Sequence, residues 1–148
     1  MSLETQIMES LKTAMKNKDT AALEALRAVK SAILLAKTSS ADHGLNEKEE
    51  MALLQKLVKQ RKESAAIYTE QNRPELAAPE LAQAAIIEQF LPQQLSEDEV
   101  SRASQDIIAQ TGASSIKDMG KVMGIATQKL AGQTDGKTLS GLVKKLLA

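Results

Sequence analysis

The chain has 148 residues with no cysteine, no tryptophan, one tyrosine and one phenylalanine, and its formal net charge is zero. That excludes a disulfide framework, a thiolate nucleophile and a zinc–thiolate site, and a core limited to Leu, Ile, Ala, Val and Met favours helix over sheet. The charge is uneven, with 11 basic against 8 acidic groups in residues 1–62, 2 against 9 in 63–110 and 6 against 2 in 111–148, which argues against uniform coating of a polyanion and allows a localised anion-binding surface.

Leu3, Ile7, Leu11, Ala14 and Met15 recur at helical spacing and predict a first amphipathic helix. Asn17 to Thr20 breaks it, and Asp19 is placed to cap a second helix over about Thr20 to Lys37. Its core face is Ala22, Leu26, Val29 and Ile33, with Arg27, Lys30 and Lys37 along one flank. That flank reads equally as a solvated edge or as a surface facing RNA. Thr38 to Leu45 is polar and holds the sole histidine, His43, beside Asp42. With no second histidine, a common metal site cannot be completed, and no metal is expected.

Asn46, with Glu49 three residues on, opens a long third helix to about Glu70. Met51, Leu54, Val58, Ala65 and Tyr68 form its seam. Arg61 stands a heptad from both Leu54 and Tyr68, inside the seam, so it requires a partner. Glu80 and Glu88 are the expected ones, on a fourth helix with Pro79 in its first turn and an end near Phe90. Lys56, Lys59 and Lys62 mark the outer surface of the third helix, for which a solvated face is the simpler reading.

Pro92 closes the fourth helix, and Ser96 with Glu99 forms a capping box for a fifth. Val100, Ala103 and Ile107 supply its core face, and Gly112 suits its C-terminal cap. Two short helices complete the chain. Ser115, with Asp118 three residues on, is placed to cap the first, and Asp135 the second. Met119, Val122, Met123, Ala126 and Leu130 share one face, and Lys117, Gly120, Lys121, Gly124 and Gln128 share the opposite one. Each glycine costs a helix interior about 1 kcal/mol against alanine. Bare backbone between ammonium groups suits close approach of a phosphate strand; it also suits a neighbouring helix packed on the glycines, and spacing alone favours the helix.

The predicted fold is all-α: an N-terminal four-helix unit over residues 1–91, a proline hinge, and a smaller three-helix unit over 96–148. No export signal is read. The longest uncharged run, Ile107 to Ile116, is ten residues, too short to span a bilayer. A cytoplasmic protein without membrane contact is expected. No Ser-His-Asp set, nucleotide-binding glycine fingerprint or convergent titratable cluster is present, so no catalytic residue and no cofactor are assigned.

Met119-Gly-Lys-Val-Met123 followed by Asp135-Gly-Lys137 resembles the signature of the GatB/YqeY tail-domain family. Leu26-Arg-x-Val-Lys-Ser-Ala-Ile33, Lys59-Gln-Arg-Lys-Glu-Ser64, Asn72-Arg73 and Phe90-Leu-Pro-x-Gln-Leu-Ser96 agree with it along the chain, in the manner of the free-standing YqeY form. The resemblance implies the same two-part helical division. It also implies a tRNA-binding accessory, because the related tail domain on the amidotransferase B subunit contacts tRNA while the chemistry lies elsewhere. An aminoacyl-tRNA synthetase or the amidotransferase is an implied partner, and DNA is not. The family is linked to carbon–nitrogen ligase activity with glutamine as amido donor, but this chain has no counterpart of those catalytic sites. On this resemblance Lys117, Gly120, Lys121, Gly124, Asp135, Gly136 and Lys137 are the RNA-binding candidates, with Arg27, Lys30, Lys59 and Lys62 as a secondary basic surface. Ala131 and Gln133 stand where the family often has lysines. The competing reading is a helical adaptor that docks a protein through the Gly120–Gly124 face.

Overall fold

The computed structural model describes residues 2–39 and 44–148, so Asp42 and His43 lie outside the described residues. Among the described residues are seven α-helices and one 3-10 turn, and no strand. The chain divides into two compact units, residues 1–91 with four helices and 92–148 with three.

In the first unit α1 (Leu3–Asn17) follows Ser2, whose hydroxyl accepts from the Thr5 N–H at 3.2 Å. It stops at Lys18, which takes the left-handed conformation with φ 54°. Asp19 then caps α2 (Thr20–Ser39) by accepting from the Ala22 N–H at 3.1 Å. A connection this short makes the two helices an antiparallel hairpin. α3 (Glu47–Glu70) opens on the expected box: the Glu49 N–H donates to Asn46 Oδ1 at 2.8 Å, and the Asn46 N–H to Glu49 Oε1 at 3.4 Å. α4 (Pro74–Glu88) lies along α3 and also packs on α2. Ile7, Leu26, Val29, Leu54 and Ile87 are buried at the centre of this unit.

Three details differ from the sequence reading. Met15 is 59% exposed, because Ala14 takes the core position and neighbouring residues point about 100° apart on a helix. Pro74, not Pro79, occupies the first turn of α4, and Pro79 lies inside the helix. Asn72, at φ 58°, reverses the chain directly after α3, so the helix starts at the first proline available to it. Arg61 pairs with neither Glu80 nor Glu88. Its Nε donates to Gln83 Oε1 at 3.0 Å and its Nη1 to the Leu57 carbonyl at 3.1 Å. Gln83 Nε2 in turn donates to Glu24 Oε2 at 3.0 Å. The amide thus separates cation from anion and joins α3, α4 and α2. Glu88 instead accepts from Lys62 at 2.6 Å.

In the second unit the Ser96–Glu99 box starts α5 (Glu97–Thr111), with both of its hydrogen bonds at 3.2 Å. Gly112 closes it at φ 70°. A 3-10 turn (Ile116–Asp118), α6 (Met119–Lys129) and α7 (Gly136–Leu147) follow. Val100, Ile107, Val122, Ala126, Leu139 and Val143 make up the core of this unit. The segment around Pro92 is non-helical, and its second half is fastened within the same unit. The Leu95 N–H donates to the Gln133 carbonyl at 2.9 Å, and Gln94 Nε2 to the Gly132 carbonyl at 2.6 Å.

Two stability predictions follow from polar groups in these cores. Arg61→Ala removes two hydrogen bonds at a half-buried position but strands no buried carboxylate, since Glu24 is exposed. The expected loss in denaturant unfolding is about 1.5 kcal/mol; a much larger loss would show a direct carboxylate contact. Ser104 is fully buried, and its hydroxyl has no partner among the described residues. Ser104→Ala should raise the melting temperature, with a gain of about 1 kcal/mol. A destabilised variant would show that the hydroxyl is bonded after all.

Candidate nucleic-acid interface

The 3-10 turn that leads into α6 opens on a box between Ser115 and Asp118. Asp118 accepts from the Ser114 N–H at 3.0 Å and from the Ser115 N–H at 3.4 Å. Ser115 holds the N-cap position and forms with Asp118 the box expected from the sequence; the element it caps is the 3-10 turn Ile116–Asp118, and α6 proper follows from Met119. The apolar face is as expected: Val122, Ala126 and Leu130 are buried, with Met119 and Met123 half-buried against them.

The opposite face is open. Lys117, Gly120, Lys121, Gly124 and Gln128 are all exposed. A Cβ added at Gly120 or Gly124 would meet no atom within 4 Å. Neither glycine is therefore there to let another helix of its own unit approach. Lys117 and Lys121 flank the bare backbone, and among the described residues no ion pair holds either one.

Asp135 caps α7 as predicted, accepting from the Thr138 N–H at 2.6 Å. Gly136 and Lys137 follow in the exposed first turn, and a Cβ on Gly136 would also meet nothing. The candidate residues thus fall into two groups. Gly120, Lys121 and Gly124 lie on the exposed side of α6 with Lys117 in the 3-10 turn before it, while Asp135, Gly136 and Lys137 come after the C-terminal end of α6. From Lys121 to the end of α6 at Lys129 is about 12 Å of helix axis. Lys144 and Lys145, exposed in the last turn of α7, are further cations on this unit that the motif reading missed. Their placement near a helix C-terminus, where cations offset the macrodipole, was the available signal.

The secondary basic residues are divided between α2, with Arg27 and Lys30, and α3, with Lys59 and Lys62. Lys30 lines a groove between α1 and α2, whereas Lys62 is tied to Glu88 between α3 and α4. Arg27 and Lys59 are exposed on α2 and α3 respectively. Among the described residues no group of acidic, histidine or cysteine side chains is arranged to hold a metal, and no helix is long and apolar enough to cross a membrane.

The Yqey-like protein family matches residues 4–147, nearly the whole chain. The chain belongs to that family. No curated protein is similar enough to serve as a relative for comparison. In this Yqey-like chain Gln133 is bonded through both its backbone and its side chain. Its carbonyl accepts from Leu95 and its Nε2 donates to the Gln93 carbonyl at 3.4 Å, so the side chain is engaged with the 92–95 segment.

Open space at the glycines makes a sharp prediction. Gly120→Ala and Gly124→Ala should each stabilise the protein by about 1 kcal/mol, read as a higher melting temperature. A melting temperature that is unchanged or lower would mean that the fold itself needs these glycines.

Proposed function

We propose that this Yqey-like chain is a non-catalytic tRNA-binding accessory protein whose C-terminal unit corresponds to the tail domain of the tRNA-dependent amidotransferase B subunit. The observation that carries the reading is the exposed strip of α6. Two glycines over which an added Cβ would meet no atom among the described residues weaken the helix there, and Lys121, with Lys117 in the 3-10 turn before it, borders them with no ion pair among the described residues. A phosphate strand can approach bare backbone more closely than it can approach side chains, and ammonium groups on either side supply the attraction. Lys137, at the start of α7, adds a second point of contact near a helix N-terminus, where anions are favoured. The lysines offer no bidentate geometry for reading bases, so recognition is of shape and backbone charge. A synthetase or an amidotransferase acting on the same tRNA is the fitting protein partner, and the cytoplasm the fitting compartment.

The test is tRNA binding by wild type and Lys121→Ala across a salt series. Wild type should lose affinity steeply with salt, and removing one phosphate contact should lower the slope of log affinity against log salt by about 0.7 to 0.9. Gly124→Leu should block binding sterically while the opposite core face keeps the protein folded. If wild type and Lys121→Ala bind alike, or neither binds at low salt, the RNA reading fails. A folded Gly124→Leu variant that loses a protein partner without ever having bound tRNA would assign the strip to helix docking.

A further inference from the structure

The outer surface of the α1–α2 hairpin carries exposed large apolar side chains. Met8 is 43% exposed and Leu34 64%, and both line one groove floored by Ile7 and Ile33. Met15, 59% exposed, lies two turns beyond Met8 on the same strip of α1, whereas Leu35, 70% exposed, is turned about 100° from Leu34 and borders the groove from outside its lining. Large apolar side chains gathered on one face mark an interaction surface rather than scattered exposure.

The two ends of this face carry opposite charge. At one end Glu4 forms an ion pair with Lys37. Glu50 stands close by, and burial, then Glu4, then Glu47 hold its carboxyl above the usual range while Lys37 acts the other way. Three carboxylates around one ammonium leave that end acidic. At the other end Lys30 borders the groove and Arg27 follows it one turn back along α2, both exposed. Glu24, a turn further, is held by Gln83 of α4. Lys30 and Lys37 are seven residues apart, about 10 Å along the helix axis, so acidic end, apolar centre and basic end follow in line.

We propose that this face is an isologous interface on which a second copy of the chain docks, hairpin against hairpin, about a two-fold axis near Met8 and Leu34. A two-fold rotation brings the acidic end of each copy onto the Lys30–Arg27 end of the other and sets the apolar centres together. The patch is therefore its own complement, and this polarity is what selects the occupant. A uniformly acidic helix would match one end only. A nucleic-acid backbone would be repelled at the Glu4–Glu50 end. The interface leaves the α6 strip out and is independent of the tRNA reading.

Sedimentation velocity of the full chain over a concentration series should show a reversible monomer–dimer equilibrium. Leu34→Glu changes a residue already exposed in the monomer, so its thermal melt in dilute solution should stay near wild type while association falls about a hundredfold. Each charge reversal counts twice in a two-fold interface. Lys30→Glu and Glu4→Lys should therefore each weaken association about tenfold, and the double variant should restore it. A wild type that stays monomeric at every concentration overturns the proposal, as does a Leu34→Glu variant that associates normally or a double reversal that fails to restore. If Lys30→Glu lowers tRNA binding and leaves sedimentation unchanged, the face contacts nucleic acid and the dimer is wrong.

Discussion

Close approach of helices through alanine is the constraint on which the rest of this structure depends. With no tryptophan and a single tyrosine and phenylalanine, few side chains are large enough to span a wide gap between helices. The buried contacts are instead made by Ala25, Ala65, Ala77 and Ala84 in the first unit and Ala126 in the second, beside Leu, Ile and Val. Small side chains let helix backbones approach near the lower end of their usual spacing, and native packing density is reached that way. The buried side chains of α4 are Ala77, Ala84 and Ile87. A face that shallow can lie along α3 and still reach α2.

Shallow faces also slide. An alanine surface offers little to distinguish one register from another, because ridges and grooves of near-equal height interdigitate in several ways. The Arg61–Gln83–Glu24 relay supplies what the apolar surface lacks. Each link has direction: a guanidinium must meet the amide oxygen, and the amide nitrogen must meet a carboxylate. Shifting α4 by one turn would break both links together. The relay therefore contributes to the choice of one arrangement beyond its modest contribution to stability.

Local signals in the sequence were legible and tertiary ones were not. The boxes at Asn46 and Ser96, the caps at Asp19 and Asp135 and the stop at Gly112 each depend on a few neighbouring residues, and each appears in the structure. The partner of Arg61 was illegible because it depends on how α4 lies against α3, which neither helix's periodicity contains. Pro74 and Pro79 both satisfy the preference for proline in a first helical turn, and the choice fell to the positive φ of Asn72. The same limit applied to the α6 glycines. Spacing placed Gly120 and Gly124 on one face, but only the arrangement of the neighbours reveals that no described residue of their own unit lies against them.

Charge in the second unit is sorted by element. Most of its carboxylates, Glu97, Asp98, Glu99 and Asp106, lie on α5, where the first three complement the helix N-terminus. The two outside α5, Asp118 and Asp135, are both turned onto backbone N–H groups at the starts of the 3-10 turn and α7. Each of these two carboxylates is oriented by the N–H groups it accepts from and keeps its charge there. A nearly neutral unit arranged this way has little attraction for polyanions at long range, where opposite charges cancel, but a directional field close to the surface. Such a surface discriminates by orientation: a phosphate backbone gains attraction on the lysine-bearing helices and loses it on α5. The same residues that fix where the C-terminal helices begin therefore also hold two of the unit's six carboxylates in fixed positions.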